Sequence, residues 1–385
     1  MINRMGFCHR RSSDLGQAPR STVWESPLKI GLLGYGTVGK AVADILRERD
    51  CGVEVKWILR RPGKASGPHM TDDVDTVLND PEVTCIVEAL PGRDPALAYI
   101  RAALTAGKHV VTSNKAALAA DLTGLTTLAN DKGVKLLFEA SCGGGMPWIE
   151  MIKKAVRLDE VTDVTGILNG TCNYMLDRME RMQLGFEEAL GEAQALGYAE
   201  ADPTADISGA DLRNKAVISA SLAFGGGVTA DMPTAGIERV TKAFIDRALA
   251  DNRRLRLMMV ARREGDRYAA GVIPMLLPAT EIAAHIHDNL NYGSIRGDLV
   301  GPLTLSGQGA GGLPTADAVI QDLISLVRGT AENARFDRTL TYDPDLLCGT
   351  GVFPDETIVG RSLAELVRIA RERQSFFAFE LKATE

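Results

Sequence analysis

From Lys29 onward the chain alternates short apolar runs with stretches in which apolar residues recur every three or four positions. That alternation predicts parallel strands joined by crossover helices. Strands are expected at 29–33, 53–59, 84–90, 109–112 and 134–140. Between the first two, Val38, Ala41, Val42, Ile45 and Leu46 repeat at helical spacing, so the first crossover is a helix. Residues 28–145 therefore predict an α/β domain built on a doubly wound parallel sheet.

After Gly143-Gly144-Gly145 the pattern changes. Residues 146–314 carry long helical patterns, among them 186–196 and 212–222, separated by apolar runs such as 270–277, which predicts a second domain of α+β type. In 317–328, Val319, Ile320, Leu323, Ile324 and Val327 keep helical spacing until Gly329 stops it. This helix, within 315–329, is expected to return to the first domain. Residues 330–385 read as a short C-terminal extension of unassigned role, ending in an amphipathic helix around 363–371. Residues 1–27 lack apolar periodicity and are expected to be a disordered leader. They are rich in arginine and poor in acids, but have neither the amphipathic spacing of a transit peptide nor a secretory apolar core.

Composition narrows the function. A chain of 385 residues suits two cores better than one. With 43 basic against 50 acidic residues and a net charge of −7, it has no basic surplus for a nucleic acid or an anionic membrane. No apolar run approaches the roughly 18 residues of a membrane helix, so a soluble, cytoplasmic protein is expected. Cys8, Cys51, Cys85, Cys142, Cys172 and Cys348 are scattered without a C-x-x-C pair, which reads as reduced thiols.

Candidate chemistry lies in five places. Gly34-Tyr35-Gly36-Thr37-Val38-Gly39 follows the first strand and opens the first helix, the setting in which G-x-G-x-x-G binds a dinucleotide. Gly34 would make the tight turn, Gly36 admit the pyrophosphate and Gly39 allow close packing of helix on strand. The second strand then runs into Arg60-Arg61, where an NAD site would place an acid on the ribose hydroxyls. Two guanidiniums there suit a 2′-phosphate, so NADPH is expected in preference to NADH, the alternative being two solvated arginines.

Thr112-Ser113-Asn114-Lys115 closes the fourth strand, and ligands bind beyond the carboxyl ends of such strands, although a surface lysine at a helix start would look the same. Glu139 and the three glycines after it form a hinge with oxygen ligands for a hard cation, or simply a linker. Around Gly170 a loop meets a helix beginning near Thr171, whose amides could receive a carboxylate or whose hydroxyl could cap the helix. Finally, Glu200, Asp202, Asp206, Asp211 and Lys215 crowd a turn and a helix start. Asp211 and Lys215 share a helix face, which fits either a reaction centre or a surface ion pair beside a Ser208-to-Asp211 capping box.

Taken in order, these segments resemble the homoserine dehydrogenase family. The resemblance rests on the glycine fingerprint, Lys115 in its Thr-Ser-Asn-Lys setting, Gly166-Ile167-Leu168-Asn169-Gly170-Thr171, Gly197-Tyr198-Ala199-Glu200-Ala201-Asp202-Pro203, Asp211 with Lys215, and Gly309-Ala310-Gly311-Gly312-Leu313-Pro314-Thr315-Ala316. It implies a Rossmann-type domain followed by a substrate-binding and dimerisation domain. It also implies NAD(P)H-dependent, reversible reduction of aspartate 4-semialdehyde to homoserine, in threonine, methionine and isoleucine biosynthesis, by a homodimer.

By the same resemblance Glu200 would bind the substrate amino group, Tyr198, Gly170 and Thr171 would line the pocket, and Asp206 and Asp211 would hold the reacting end. Lys215 would be the acid/base, Lys115 would sit between cofactor and substrate, and Gly309 would lie near the cofactor together with Thr112 and Ser113. A monovalent cation, usually sodium, would sit at Glu139, Cys142, Gly144 and Met146. The extension after Gly329 is too short for the regulatory module some members carry. Cys172, Met175, Trp148 and the stretch 285–291 depart from the family's usual residues. Those departures leave open a paralogue for another small hydroxy amino acid or aldehyde, and, in a different class, a non-catalytic NADP-binding regulator.

Overall fold

The computed structural model describes residues 26–381. Nearly all of the expected leader, with Cys8, lies outside the described residues. Six strands form the first sheet: β1 (Leu28–Leu33), β2 (Val53–Leu59), β3 (Met70–Thr71), β4 (Cys85–Glu88), β5 (His109–Thr112) and β6 (Leu136–Leu137). Their order is β3-β2-β1-β4-β5-β6, every pair parallel. Ile30, Leu32, Ile86, Val87, Val110 and Val111 are fully buried because helices cover both faces, which is why these strands read as continuous apolar runs.

The chain direction through the sheet reverses between β1 and β4, so a crevice opens beyond their carboxyl ends. Three details differ from expectation, one being that β4 covers only Cys85–Glu88 of the expected 84–90. β3 is too short to leave a pattern, and β6 stops at Leu137 because a 3₁₀ turn, Glu139–Ser141, begins directly after it.

Helix Gly312–Val327 does return to this domain. Its Ala316, Val319 and Leu323 pack with Val42 and Ala43 of helix Thr37–Glu48 over Ile30, Leu32 and Val87.

The second domain is a large mixed sheet of β7 (Val161–Ile167), β8 (Arg253–Glu264), β9 (Arg267–Pro278), β10 (Leu290–Gly297), β11 (Gly301–Gln308), β12 (Thr341–Tyr342), β13 (Cys348–Val352), β14 (Thr357–Ser362) and β15 (Ala378–Leu381). Its order is β11-β10-β7-β8-β9-β15-β13-β14, with β12 also on β9. Helix Ala210–Phe224 is buried almost all round, lying between this sheet and first-domain helix Lys115–Asp131. The core is thereby continuous between the domains, and helix Ala210–Phe224 can bring side chains to the crevice.

The C-terminal extension is more than a tail with a helix. Asn333 first pairs with the first domain, its side chain donating to Val134 O (2.9 Å) and accepting from Leu136 N (2.8 Å). Arg338 then bonds Glu160 (2.6 Å) of the second domain. Helix Leu363–Arg373 falls where expected, capped by Ser362. Beyond it β15 enters the interior of the sheet, paired with β9 on one side and β13 on the other. The run Phe376-Phe377-Ala378-Phe379 has too few positions to show strand periodicity.

Phe377 and Phe379 sit in one apolar cluster with Leu363, Leu366, Ile273 and Met275. Phe379→Ala should therefore lower the unfolding free energy by about 3–5 kcal/mol in chemical denaturation. A loss under about 1 kcal/mol would mark the segment as an appendage.

Candidate functional site

A cleft of about 1190 Å³ occupies the switch-point crevice. Of the residues singled out in the sequence, Gly34, Gly36, Thr37, Val38, Arg60, Arg61, Ser113, Lys115, Gly144, Glu200, Lys215 and Gly309 line it. The glycine loop is shaped for a close ligand. Gly34 has φ +103°, and a Cβ there would lie 2.7 Å from Ala89 O. Gly36 is the N-cap of helix Thr37–Glu48, with no capping side chain and open space where its Cβ would be. Backbone amides at that helix start face the cleft, a ready anion site. Gly39 serves from behind, since a Cβ would meet Gly34 O at 2.1 Å.

Arg60 stacks over the Tyr35 ring at 5.1 Å. The turn that follows is held by Gly63 N donating to Asp72 Oδ2 (3.1 Å), and it brings a third cation, Lys64, to the same rim. Lys64 went unnoticed in the sequence because nothing there marks its turn as part of the crevice.

Thr112 is a correction. It is fully buried and its hydroxyl donates to Glu88 Oε2 (2.5 Å), so it does not line the cleft. Glu88 also accepts from Leu90 N (2.7 Å) and Asn114 Nδ2 (3.4 Å), tying together the two loops that flank the cleft. Burial pushes its carboxyl up.

At the inner end of the cleft Asp211 joins both domains. Its Oδ1 lies 3.0 Å from Lys115 Nζ and its Oδ2 lies 2.8 Å from Lys215 Nζ. Asn169 Nδ2 donates to Asp211 Oδ2 (3.0 Å) and to Asp206 Oδ1 (2.7 Å), and Lys215 Nζ also donates to Leu168 O (2.5 Å). Burial pushes the Asp211 carboxyl up, but the Lys215 and Lys115 ammoniums and the Asn169 amide outweigh it and hold that acid well below the usual range. Asp211 raises the Lys115 pKa in turn. Burial, and then the nearby Asp211 charge, raise Asp206.

The surface-pair reading fails here, since Asp211 and Lys215 are 8 % and 9 % exposed. The capping box fails too: the helix is capped by Gly209 at φ +82°. Thr171 likewise caps nothing. Asn169 is the N-cap of helix Gly170–Arg181, accepting from Cys172 N, while the Thr171 hydroxyl donates to Tyr198 O (2.5 Å). Asn169 does two jobs that sequence reasoning missed, because the residue before a glycine looked like loop.

Glu139 faces the hinge. Its carboxylate accepts from Ile149 N (3.0 Å) and Glu150 N (2.8 Å) at the start of helix Trp148–Ala155, and its own N–H donates to Asp322 Oδ2 (2.9 Å). Burial, and then the Asp322 carboxylate, push Glu139 up to about 8, and burial pushes Asp322 up to about 7. Gly143 and Gly144 turn with positive φ, and Gly144 abuts the Gly309–Ala310 peptide. Among the described residues no cluster of three His, Cys, Asp or Glu forms a metal centre, so a cation at this turn would need backbone carbonyls beside the Glu139 carboxylate.

Comparison with known sequences decides the ancestry. The family model for homoserine dehydrogenase matches residues 147–324, and that for the homoserine dehydrogenase NAD binding domain matches residues 34–139. The homoserine dehydrogenase of Pseudomonas aeruginosa is 36% identical over 86% of this chain and 79% of its own length. The chain belongs to the homoserine dehydrogenase family. That of Bacillus subtilis is 34% identical over 78% of the chain and 73% of its own length. The crystal structure of a homoserine dehydrogenase from Thiobacillus denitrificans superposes with a TM-score of 0.80 at 32% identity, covering 85% of this chain and 82% of that one. The chain is accordingly a nicotinamide-dependent oxidoreductase, with a Rossmann-type first domain and a mixed α/β second one.

Against this homoserine dehydrogenase background, the unusual residues have local explanations. Trp148 lies flat on Gly293, with its indole N–H donating to Ser219 Oγ (2.9 Å). Cys172 is buried with its thiol 3.3 Å from Asp206 O, and Met175 is fully buried in the core. The stretch 285–291 is pinned to helix Gly170–Arg181. Asn173 Nδ2 donates to Ile286 O (3.1 Å) and Asp288 O (3.0 Å), and Asp177 bonds His287 Nδ1 (2.8 Å) and Asp288 N (3.1 Å). Asn289 O consequently sits where a Cβ on Gly170 would be, 2.8 Å away. Gly170, Thr171 and Tyr198 are not among the residues that line the cleft, and the Tyr198 ring stands edge-on to Tyr174. No helix among the described residues is long and apolar enough to cross a membrane.

Proposed function

We propose that the chain reduces aspartate 4-semialdehyde to homoserine with NADPH, and runs the reverse reaction, with Lys215 as the acid/base. The observation that carries this reading is one buried carboxylate, Asp211, bonded to two lysines that both line the cleft. NADPH supplies the hydride. As negative charge grows on the aldehyde oxygen, the Lys215 ammonium stabilises it and donates the proton. Asp211 and Leu168 O aim that ammonium, and Lys115 keeps the local charge positive from the first-domain side. In the reverse direction the Lys215 amine takes the hydroxyl proton.

Glu200 lies on the same cleft and is proposed to bind the substrate ammonium, while Asp206 is proposed to act through Asn169. The site residues fit a dinucleotide: free amides at Gly36 for the pyrophosphate, and Arg60, Arg61 and Lys64 for the 2′-phosphate.

A sodium ion at the hinge is also proposed, at Glu139, Cys142, Gly144 and Met146, with the Glu139 carboxylate and backbone carbonyls as its ligands. Glu139 and Asp322 put two acids in one buried place, and the folded chain would otherwise take up a proton there. Glu139 is raised from 4.5 to about 8, so its carboxylate form costs stability increasingly as pH rises between those values. Sodium would offset that cost at and above pH 8 and have little effect near pH 5. The expected result is a melting temperature raised by sodium but not by choline at alkaline pH, with no such gain in Glu139→Gln. Equal responses to both salts would remove the cation.

Lys215→Ala should leave NADPH binding in place and cut turnover by on the order of a hundredfold or more. Asp211→Asn should also lower turnover, because it releases the lysine. A Lys215→Ala enzyme that keeps most of its turnover number would move the acid/base role to Lys115.

Replacing both Arg60 and Arg61 with Ala should raise KM for NADPH by about tenfold or more while leaving NADH little changed. Equal weakening of the two cofactors would show that these guanidiniums do not read the 2′-phosphate.

A further inference from the structure

Asn291, on β10, is fully buried, and neither the nitrogen nor the oxygen of its side chain has a hydrogen-bond partner. Such an amide is a net cost to the fold, since both its ends have given up water for nothing. Its backbone is well fixed, with the carbonyl accepting from Ser306 Oγ (3.0 Å). The side chain stands on the sheet face that turns toward the hinge. Two residues along the same face, Gly293 carries the Trp148 ring, and across the strand pair Gly307 meets the Met146 side chain.

Directly ahead of the amide is Gly309, where a Cβ would lie 1.8 Å from Asn291 Cγ and 2.0 Å from Nδ2. On the other side of the same peptide is Gly144, whose Cβ would lie 2.4 Å from Gly309 C and 2.8 Å from Ala310 N. The Gly309–Ala310 peptide is thus held between an unpaired amide and the hinge glycine, and both its residues line the cleft. With Gly309 in it and Gly311 and Gly312 after, side chains restrict the backbone torsions around this peptide little.

We propose that Asn291 is a positioning residue for the cofactor: its carboxamide bonds the Gly309–Ala310 peptide when the dinucleotide fills the cleft, and so fixes which backbone group that peptide offers to it. The inference rests on reading the cleft as the NADPH site. In the empty protein the amide waits unpaired, and its desolvation cost is recovered only on binding. Stability and affinity should therefore respond differently to removal of the amide.

The test uses the full chain carrying Asn291→Leu or Asn291→Ala, with melting temperatures measured without ligand and NADPH dissociation constants by calorimetry. Asn291→Leu keeps the shape and sheds the unpaired polar atoms, so its ligand-free melting temperature should equal or exceed wild type. Asn291→Ala leaves a cavity and should melt lower. Both should bind NADPH about tenfold or more weakly. Wild-type affinity in both variants overturns the proposal. So does weak binding by the alanine variant with normal binding by the leucine variant, because affinity would then follow packing alone. A wild-type protein that binds no NADPH would refute the cofactor reading itself, and this inference with it.

Discussion

Everything at the centre of this molecule depends on the Asp211 carboxylate having two ammonium partners from two domains. Lys115 opens a helix of the parallel-sheet domain, whereas Asp211 and Lys215 lie one turn apart on a helix of the mixed-sheet domain. A buried acid with one lysine would leave Lys115 facing the cleft uncompensated, and a buried lysine without the acid would favour its neutral form. The shared carboxylate settles both and fixes the spacing between the two domains at the inner end of the cleft. The unbroken core beneath it, with helix Ala210–Phe224 packed on helix Lys115–Asp131, keeps that spacing rigid.

Around that centre the protein tolerates an unusual concentration of costly groups. Glu88, Glu139, Asp206 and Asp322 are all raised by burial, and Asn291 has no partner for its side chain. All of them border the cleft or its hinge. Away from it, Arg256, fully buried, bonds Glu180 (2.9 Å) and Ala284 O (2.9 Å) but leaves its Nε without a partner. Costs of the same kind recur at Glu180 and Arg256, but those beside the cleft stand where a bound ligand can offset them.

Much of this was legible in the residues alone. β5 was read to the residue, the glycine fingerprint lay where the strand and helix patterns put it, and the four-residue spacing of Asp211 and Lys215 did place them together. These are local signals, set by period and by steric need. What escaped was set by tertiary contact. Leu168 offers a carbonyl, and no side-chain pattern reports that. Asn169 bridges two acids far along the chain, and Thr112 turns inward to Glu88 because β4 lies beside β5. Lys64 reaches the rim through a turn tied to Asp72, and Asp322 meets Glu139 only because its helix folds back. The strands of the extension leave no signal because β13 and β15 are short, without a run of alternation long enough to mark a half-buried strand.

The place of β15 carries a consequence for how the chain assembles. It lies between β9, about a hundred residues earlier, and β13, so the two halves of the second sheet meet only through it. Until Ala378–Leu381 docks, β9 and β13 each present an open edge, and β9 belongs to the longest hairpin among the described residues. Closing such a distant pair costs chain entropy before it gains contact, so this step should be late and slow. A folding intermediate would then be sticky at that seam, because unpaired strand edges recruit other chains. Solubility of the nascent protein thus hangs on four residues that never approach the reaction.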